Sequence, residues 1–302
     1  MKFRIYFCAI ILVLLVACGK NTPLTPPPSQ PSTLTFGTPL TLDVVTWNLL
    51  NFPRTETDTN ALTSLLTTIG ADVYAFQEIA NPSSFLTFAA SVPNYAGYVS
   101  SASSDTRLAF LYDTRTITVN HQYPIMTGNS NPFPRPPYVL DFTWEGQDYY
   151  VINNHLKAFG DNVIDESDSW DEEVRRRLAC QNLDQYISSS LPNERVIVLG
   201  DMNDQIQEPR NSNVFLNFLD NTSEYMFADL PLAQNPINSN VSYPSSGSHL
   251  DHILITNELF DDFVSGGSYC HTILAEDWYG SWNTYKTSIS DHRPVGIRLN
   301  KR

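Results

Sequence analysis

The feature that most constrains this chain is a repeated join between apolar and polar sequence. Asn48, Glu78, His155 and Asp201 each stand at or just behind the end of a short apolar run, and Asn203 lies two residues past Asp201. The runs cover residues 42–47, 72–77, 148–153 and 195–199. Apolar runs of this length, bounded by polar or turn residues, read as strands. Ligand sites tend to form where strands end. A fold that suits such a chain brings those ends together in one cleft.

The intervening sequence alternates in character. Leu62, Leu65, Leu66 and Ile69 recur at helical spacing, and Gly70 follows as a stop, which predicts a helix over 60–69. Residues 170–189 read as a long helix with a charged side. Residues 138–144 and 148–153 flank Glu145-Gly146-Gln147 as a hairpin, and residues 250–255 and 295–299 add strands. Hairpins among helices exclude a purely alternating βαβ barrel and favour a layered α/β protein with mixed sheets. With 42% hydrophobic residues the composition is that of a globular chain, not a disordered one.

The N-terminus reads as an address. Lys2 and Arg4 precede an apolar run over 5–16 that is short for a membrane span. Leu15-Val16-Ala17-Cys18 has the form of a bacterial lipoprotein cleavage site, with an ordinary secretory signal or uncleaved anchor as the bland reading. The expected organisation is a signal peptide over 1–17, lipid on Cys18, a proline-rich unpacked tether over 18–36 and a catalytic domain over 37–302. That implies a lipid-anchored protein of the bacterial cell envelope, on the periplasmic face or the cell surface. Of the 4 cysteines, Cys180 and Cys270 remain for the domain. A disulfide between them and two buried thiols are both open. The net charge of −14 argues against binding nucleic acid through a general positive field.

The polar residues have a common chemistry. Glu78 and Asp201 are hard oxygen donors and Asn48 offers an amide oxygen, a set suited to Mg²⁺, Mn²⁺ or Ca²⁺. Hydrolysis of a phosphate ester also needs a proton acceptor for water and neutralisation of the phosphoryl oxygens. Histidines and further carboxylates fill those needs.

Six motifs occur in order: Thr46-Trp47-Asn48-Leu49, Phe76-Gln77-Glu78, Asn154-His155-Leu156, Gly200-Asp201-Met202-Asn203, Leu250-Asp251-His252-Ile253 and Ser290-Asp291-His292-Arg293-Pro294. Together they resemble the endonuclease/exonuclease/phosphatase (deoxyribonuclease I-like) family over essentially the whole domain. The resemblance implies a four-layer α/β sandwich, two mixed, mostly antiparallel sheets face to face with helices outside. It implies a metal site of Glu78 with Asn48 and Asp291, and His292 as general base or phosphate ligand oriented by Asp251. Asp201 and Asn203 would align water and phosphate, and His155 would contact phosphate or the leaving group.

His252 is read as structural, and His249 as a residue nearer the cleft because it shares the face of Asp251. Lys157, Arg176 and Arg107 are candidate substrate contacts. For the Arg175-Arg176-Arg177 run the bland reading is a solvated helix face with pairs such as Glu172 to Arg176. The favoured activity is a metal-dependent phosphodiester hydrolase cutting DNA or RNA. The alternatives are a sphingomyelinase-type phospholipase or small-molecule phosphoesterase, and a non-catalytic surface lipoprotein. No protein partner is inferable.

Overall fold

A computed structural model describes residues 34–103 and 105–300. Signal peptide 1–17, the lipidation residue Cys18 and most of the tether lie outside the described residues. The strands are β1 (Thr41–Phe52), β2 (Val73–Ile79), β3 (Tyr95–Val99), β4 (Arg107–Asp113), β5 (Ile117–Pro124), β6 (Tyr138–Trp144), β7 (Gln147–His155), β8 (Arg195–Asp201), β9 (Tyr225–Phe227), β10 (Asp251–Thr256), β11 (Tyr269–Thr272) and β12 (Val295–Asn300). They form two six-stranded sheets, ordered β11-β12-β1-β2-β4-β3 and β5-β6-β7-β8-β10-β9.

Each sheet is antiparallel except for one central pair. β1 runs parallel to β2, and β7 parallel to β8. Parallel neighbours need a crossover, and a helix supplies it in each case: α1 (Thr59–Ile69) and α3 (Glu172–Ser190). Asp58 caps α1 by accepting from the Ala61 amide, and Gly70 ends it in the left-handed conformation. Asp171 caps α3 by accepting from the Val174 amide. The consequence for function is direct. Parallel strands end on the same side, so Asn48 pairs with Gln77 beside Glu78, and His155 pairs with Asp201.

Burial divides into three layers of core. Leu42, Val44, Val73 and Phe110 of the first sheet meet Leu140, Phe142, Val151, Leu199 and Ile253 of the second. The alternate residues Val45, Trp47 and Leu49 face outward onto α1 and α2 (Pro82–Ser91). On the other side, Val139, Ile152, Val196 and Val198 pack under Ala179, Cys180, Leu183 and Ile187 of α3. Strands covered on both faces explain the nearly continuous apolar runs. The result is the four-layer α/β sandwich.

One polar contact crosses the inter-sheet core. Gln77 on β2 donates to Asn153 Oδ1 on β7 at 2.7 Å, and to Thr46 Oγ1 at 3.0 Å. Asn153 Nδ2 donates to the Phe76 and Ala109 carbonyls at 3.0 and 3.1 Å. Both side chains are fully buried. They lie one and two residues before Glu78 and His155, and so fix one sheet's register against the other. Gly200 has a related role on β8. A Cβ there would meet the Asn154 carbonyl oxygen at 2.0 Å, so glycine lets β7 and β8 close just before Asp201.

One expectation needs correction, and one open alternative is decided. The packed part begins before residue 37: Leu34 and Phe36 are buried in the outer core, and the Phe36 and Gly37 amides donate to the Ile69 carbonyl. Their apolar side chains gain more by covering that layer than by staying in a solvated tether. Cys180 and Cys270 are free thiols. Cys180 is on α3 outside the second sheet and Cys270 is on β11 of the first, so no disulfide joins them. Among the described residues no helix is long and apolar enough to cross a membrane.

Asn153→Leu removes the side-chain donor to the Phe76 and Ala109 carbonyls and the acceptor that Gln77 uses. With each lost hydrogen bond worth about 0.5–1.5 kcal/mol, urea unfolding should show a loss of about 2–4 kcal/mol. A loss below about 1 kcal/mol would mean that the bridge does not hold the sheets.

Candidate active site

The strand ends become a site because the backbone bends there. Pairing of β1 with β2 shifts register between Asn48 and Phe52, and Leu50 and Asn51 adopt φ of 48° and 55°. Pairing of β2 with β4 shifts between Phe76 and Ile79, and Glu78 adopts φ of 60°. Left-handed conformations at non-glycine residues are strained and cluster at functional sites. Here the bend aims the Glu78 carboxylate into a cleft of about 510 Å³ that His155, Asp201, Asn203, Asp291 and His292 also line. The bent segment of β1 holds the carboxylate, the Asn51 amide donating to Glu78 Oε2 at 3.0 Å.

Asn48 ties the two sheets together. Its Nδ2 donates to Glu78 Oε1 at 3.1 Å and to Asp201 Oδ2 at 3.0 Å, while its Oδ1 accepts from the Leu50 amide. Its oxygen therefore faces β1. In this structure Asn48 aligns the carboxylates through its amide nitrogen, where the sequence led us to expect a metal donor. The loop carrying Asp291 and His292 is moored to the same strand: Ser290 Oγ donates to the Asn48 carbonyl at 2.6 Å and accepts from the His292 amide at 3.0 Å.

His292 Nδ1 lies 2.8 Å from Asp251 Oδ2, and its Nε2 lies 3.7 Å from Asp201 Oδ2. Tyr243 packs on the imidazole with ring centroids 4.8 Å apart. Burial alone would discharge His292, but Asp251 and Asp201 outweigh it and push its pKa up to about 10. For Asp201, burial dominates and lifts the carboxyl to about 6 against the pull of His292. His155 Nε2 sits 3.6 Å from Asp201 Oδ2 and 4.0 Å from Glu78 Oε1, and burial keeps that imidazole neutral. The Asn203 amide donates to Asp201 Oδ1 at 3.1 Å, which leaves Oδ2 directed at Asn48 and the two histidines.

Four carboxylates thus gather around two imidazoles. Asp291 Oδ1 and Asp251 Oδ1 are buried with no hydrogen-bond partner among the described residues. Buried carboxylate oxygens left unpaired leave room for an ion or an ordered water. Glu78 and Asp291 face the cleft and are hard donors, so the arrangement fits a divalent ion that prefers oxygen.

The expected basic contacts fall elsewhere. Arg176 is buried, with Nε on Asp204 at 2.7 Å, Nη2 on Glu173 at 3.0 Å and Nη1 on the Lys157 and Phe159 carbonyls. It lines the cleft but anchors a loop, and four of its five N–H groups have protein acceptors. Lys157 Nζ is taken by Glu172 at 3.2 Å and the Ala158 carbonyl. Arg107 is outside the cleft lining and donates to the Asp105 carbonyl. The charged helix face was misleading because a buried acidic pair, Glu173 and Asp204, draws one arginine inward. The cation that sequence reasoning missed is Arg135, close enough to lower the pKa of His155. It is only lightly held, by Thr106 Oγ1 at 3.3 Å and Asp105 at 3.9 Å. A lone arginine among prolines just before β6 was the available signal.

His249 also differs from expectation. Its Nε2 faces Asp229 Oδ2 at 3.1 Å, away from the cleft. Asp229 also holds His252 Nδ1 at 2.6 Å, and His252 Nε2 donates to the Asp204 carbonyl at 2.8 Å. This fully buried group braces β10 behind Asp251.

The comparisons with known proteins agree with this architecture. The sequence profile of the Endonuclease/Exonuclease/phosphatase family matches residues 45–292. The structure of D. rerio TDP2 complexed with single strand DNA product is similar, with TM-score 0.61 and 14% identity over 86% of this chain and 99% of that one. The human Nocturnin catalytic domain with bound sulfate gives TM-score 0.57 and 16% identity, over 86% and 94%. An endonuclease/exonuclease/phosphatase from Bacteroides vulgatus gives 0.59 and 13%, over 87% and 99%. At these identities the likeness establishes the fold. No curated protein sequence matches the chain significantly.

The Asp229 group generates a pH prediction. Burial opposes the charge on Asp229, but the histidines outweigh it and depress its pKa. Burial likewise opposes the charge on His252, and Asp229 raises its pKa above 6.5. The His252 contribution to stability is complete below 6.5 and is lost as pH rises through its folded value. The Asp229 contribution is complete above 3.8 and is lost as pH falls through its folded value. The stability gap between wild type and Asp229→Asn should therefore be widest between those limits, at about 3–5 kcal/mol. A gap that does not vary with pH would refute the ion pair.

Proposed function

The chain belongs to the endonuclease/exonuclease/phosphatase family and is a metal-dependent phosphoesterase, and from that premise we propose that it is a nuclease that cuts DNA or RNA phosphodiesters at the cell envelope. The observation that carries the chemistry is Asp201, whose Oδ2 lies between His155 and His292 and is tied through Asn48 to Glu78. Those five side chains come from both sheets and from the loop before β12, and all but Asn48 line one cleft.

Glu78 and Asp291 would hold a divalent cation, Mg²⁺ or equally Mn²⁺ or Ca²⁺, and that cation would supply positive charge to the phosphoryl oxygens. Asp251 takes Nδ1 of His292 and leaves Nε2 toward the cleft, where it holds a phosphoryl oxygen as charge develops. Asp201 accepts the proton of the attacking water, with its second oxygen pinned by the Asn203 amide. His155 carries its proton on Nε2 and stabilises the leaving oxygen.

Two further points support nucleic acid as the substrate. A similar structure holds a single strand DNA product. Asn154-His155-Leu156-Lys157 is also the pattern that resembles bacterial extracellular nucleases. The net charge of −14 requires that affinity come from the cleft itself. The envelope location rests on the sequence of residues 15–18, and we assign the lipid to Cys18.

Incubation with supercoiled plasmid should give nicking that depends on Mg²⁺ or Mn²⁺ and falls by about 10²–10⁴ in Glu78→Ala and His292→Ala. If plasmid stays intact while the same site cleaves sphingomyelin or a small phosphodiester, the nuclease assignment fails. Cys18→Ala should abolish incorporation of labelled fatty acid and move the protein from the membrane to the soluble fraction. Unchanged labelling would rule out the lipid assignment.

A further inference from the structure

One residue on the rim of the cleft is held at local cost. Phe159 is 84% exposed and its backbone sits at φ of 72°. A bulky side chain in that region is strained by about 1–3 kcal/mol. Exposure to water forfeits the gain that burial would return. Neither choice serves stability, since glycine would relieve both.

The strain is imposed from below. Arg176 Nη1 holds the Lys157 and Phe159 carbonyls at 2.8 and 2.6 Å, and the Asn162 amide donates to Glu173 Oε1 at 2.8 Å. Gly160, at φ of 119°, presses against the same Glu173, where a Cβ would lie 2.1 Å from Oε1. Arg176 and Glu173 are buried and paired. The loop is therefore a rigid mount, and it projects an aromatic ring beside the reacting groups. Lys157 Nζ stands 5.5 Å from the ring centroid. Phe159, Ala158, Gly160 and Asn162 line the cleft that holds Glu78 and His292.

We propose that Phe159 is the stacking platform of a nucleobase subsite, which receives an unpaired base next to the scissile phosphate and makes the enzyme selective for single-stranded nucleic acid. This rests on the nuclease reading and adds the form of the substrate to it. Aromatic stacking accepts any base because every base has a π-face. Bases inside a duplex already use both faces on their neighbours, so the subsite serves strands, frayed ends and loops. A ring fixed in advance loses little freedom on binding, which favours a rigid mount over a mobile one.

The test uses the full chain with Mg²⁺, on a single-stranded oligonucleotide and on an abasic strand of equal length. Wild type should cleave the strand with bases at a KM lower by about fivefold or more. Phe159→Ala and Phe159→Gly should raise KM on that strand to the abasic level with kcat nearly unchanged, and Phe159→Trp should retain it. Phe159→Gly should melt no lower than wild type, because glycine relieves the φ of 72°. This separates lost stacking from lost folding. Equal KM for wild type and Phe159→Gly on the strand with bases overturns the proposal and leaves the nuclease reading intact. Failure of wild type to cut any strand overturns both. Phe159-dependent cleavage of sphingomyelin vesicles would make the ring a lipid contact and overturn the proposal as well.

Discussion

The structure depends on the amide bridge between Gln77 and Asn153. Two sheets packed through apolar side chains alone have no strong reason to choose one register over another, because hydrophobic burial is not directional. A hydrogen bond at 2.7 Å in a dry core is directional, and breaking it leaves polar groups unpaired. The bridge lies one and two residues before Glu78 and His155. It therefore converts sheet packing into the 4.0 Å approach of those two side chains. Asn48 repeats the device beside the cleft, with its buried amide shared between Glu78 and Asp201.

Around that seam the molecule concentrates negative charge and then restrains it. Asp201, Asp251, Asp291 and Glu78 share one cleft, and His292 and His155 sit among them. Behind this group a separate buried set, Asp229 with His249 and His252, holds the strand that carries Asp251. A third set, Arg176 with Glu173 and Asp204, holds the loop over 157–162. His252 donates to the Asp204 carbonyl and so links the second set to the third. Reactive side chains kept within a few tenths of an ångström need such backing, since a loose site loses most of its rate.

Much of this was legible in the chain. The helix over 60–69 and the hairpin around Glu145-Gly146-Gln147 appear where their patterns place them, because strong periodicity and turn chemistry act locally. The six motifs named Glu78, His155, Asp201, Asp251 and His292: the first three stand at strand ends, Asp251 opens β10 and His292 lies just before β12. The basic residues were not legible. Arg176 read as a substrate contact, or with its neighbours as a solvated helix face, and only its pairing with Asp204, 28 positions away, turns it into a buried anchor. Arg135 looked like part of a polar loop. Leu34 and Phe36 looked like the end of a tether until α1 offered them a surface.

Sequence by itself located seven of the twelve strands among the described residues, the two helices that cross between parallel pairs and the residues that carry reactive groups. Those properties depend on periodicity, capping and side-chain type, all of which act over a few positions. Tertiary structure alone decided which carboxylate faces which imidazole, which arginine is spent on the fold and which aromatic stays in water. Each of those outcomes is a pairing between residues far apart in the chain. Its energy exists only once the sheets have closed and brought those partners together.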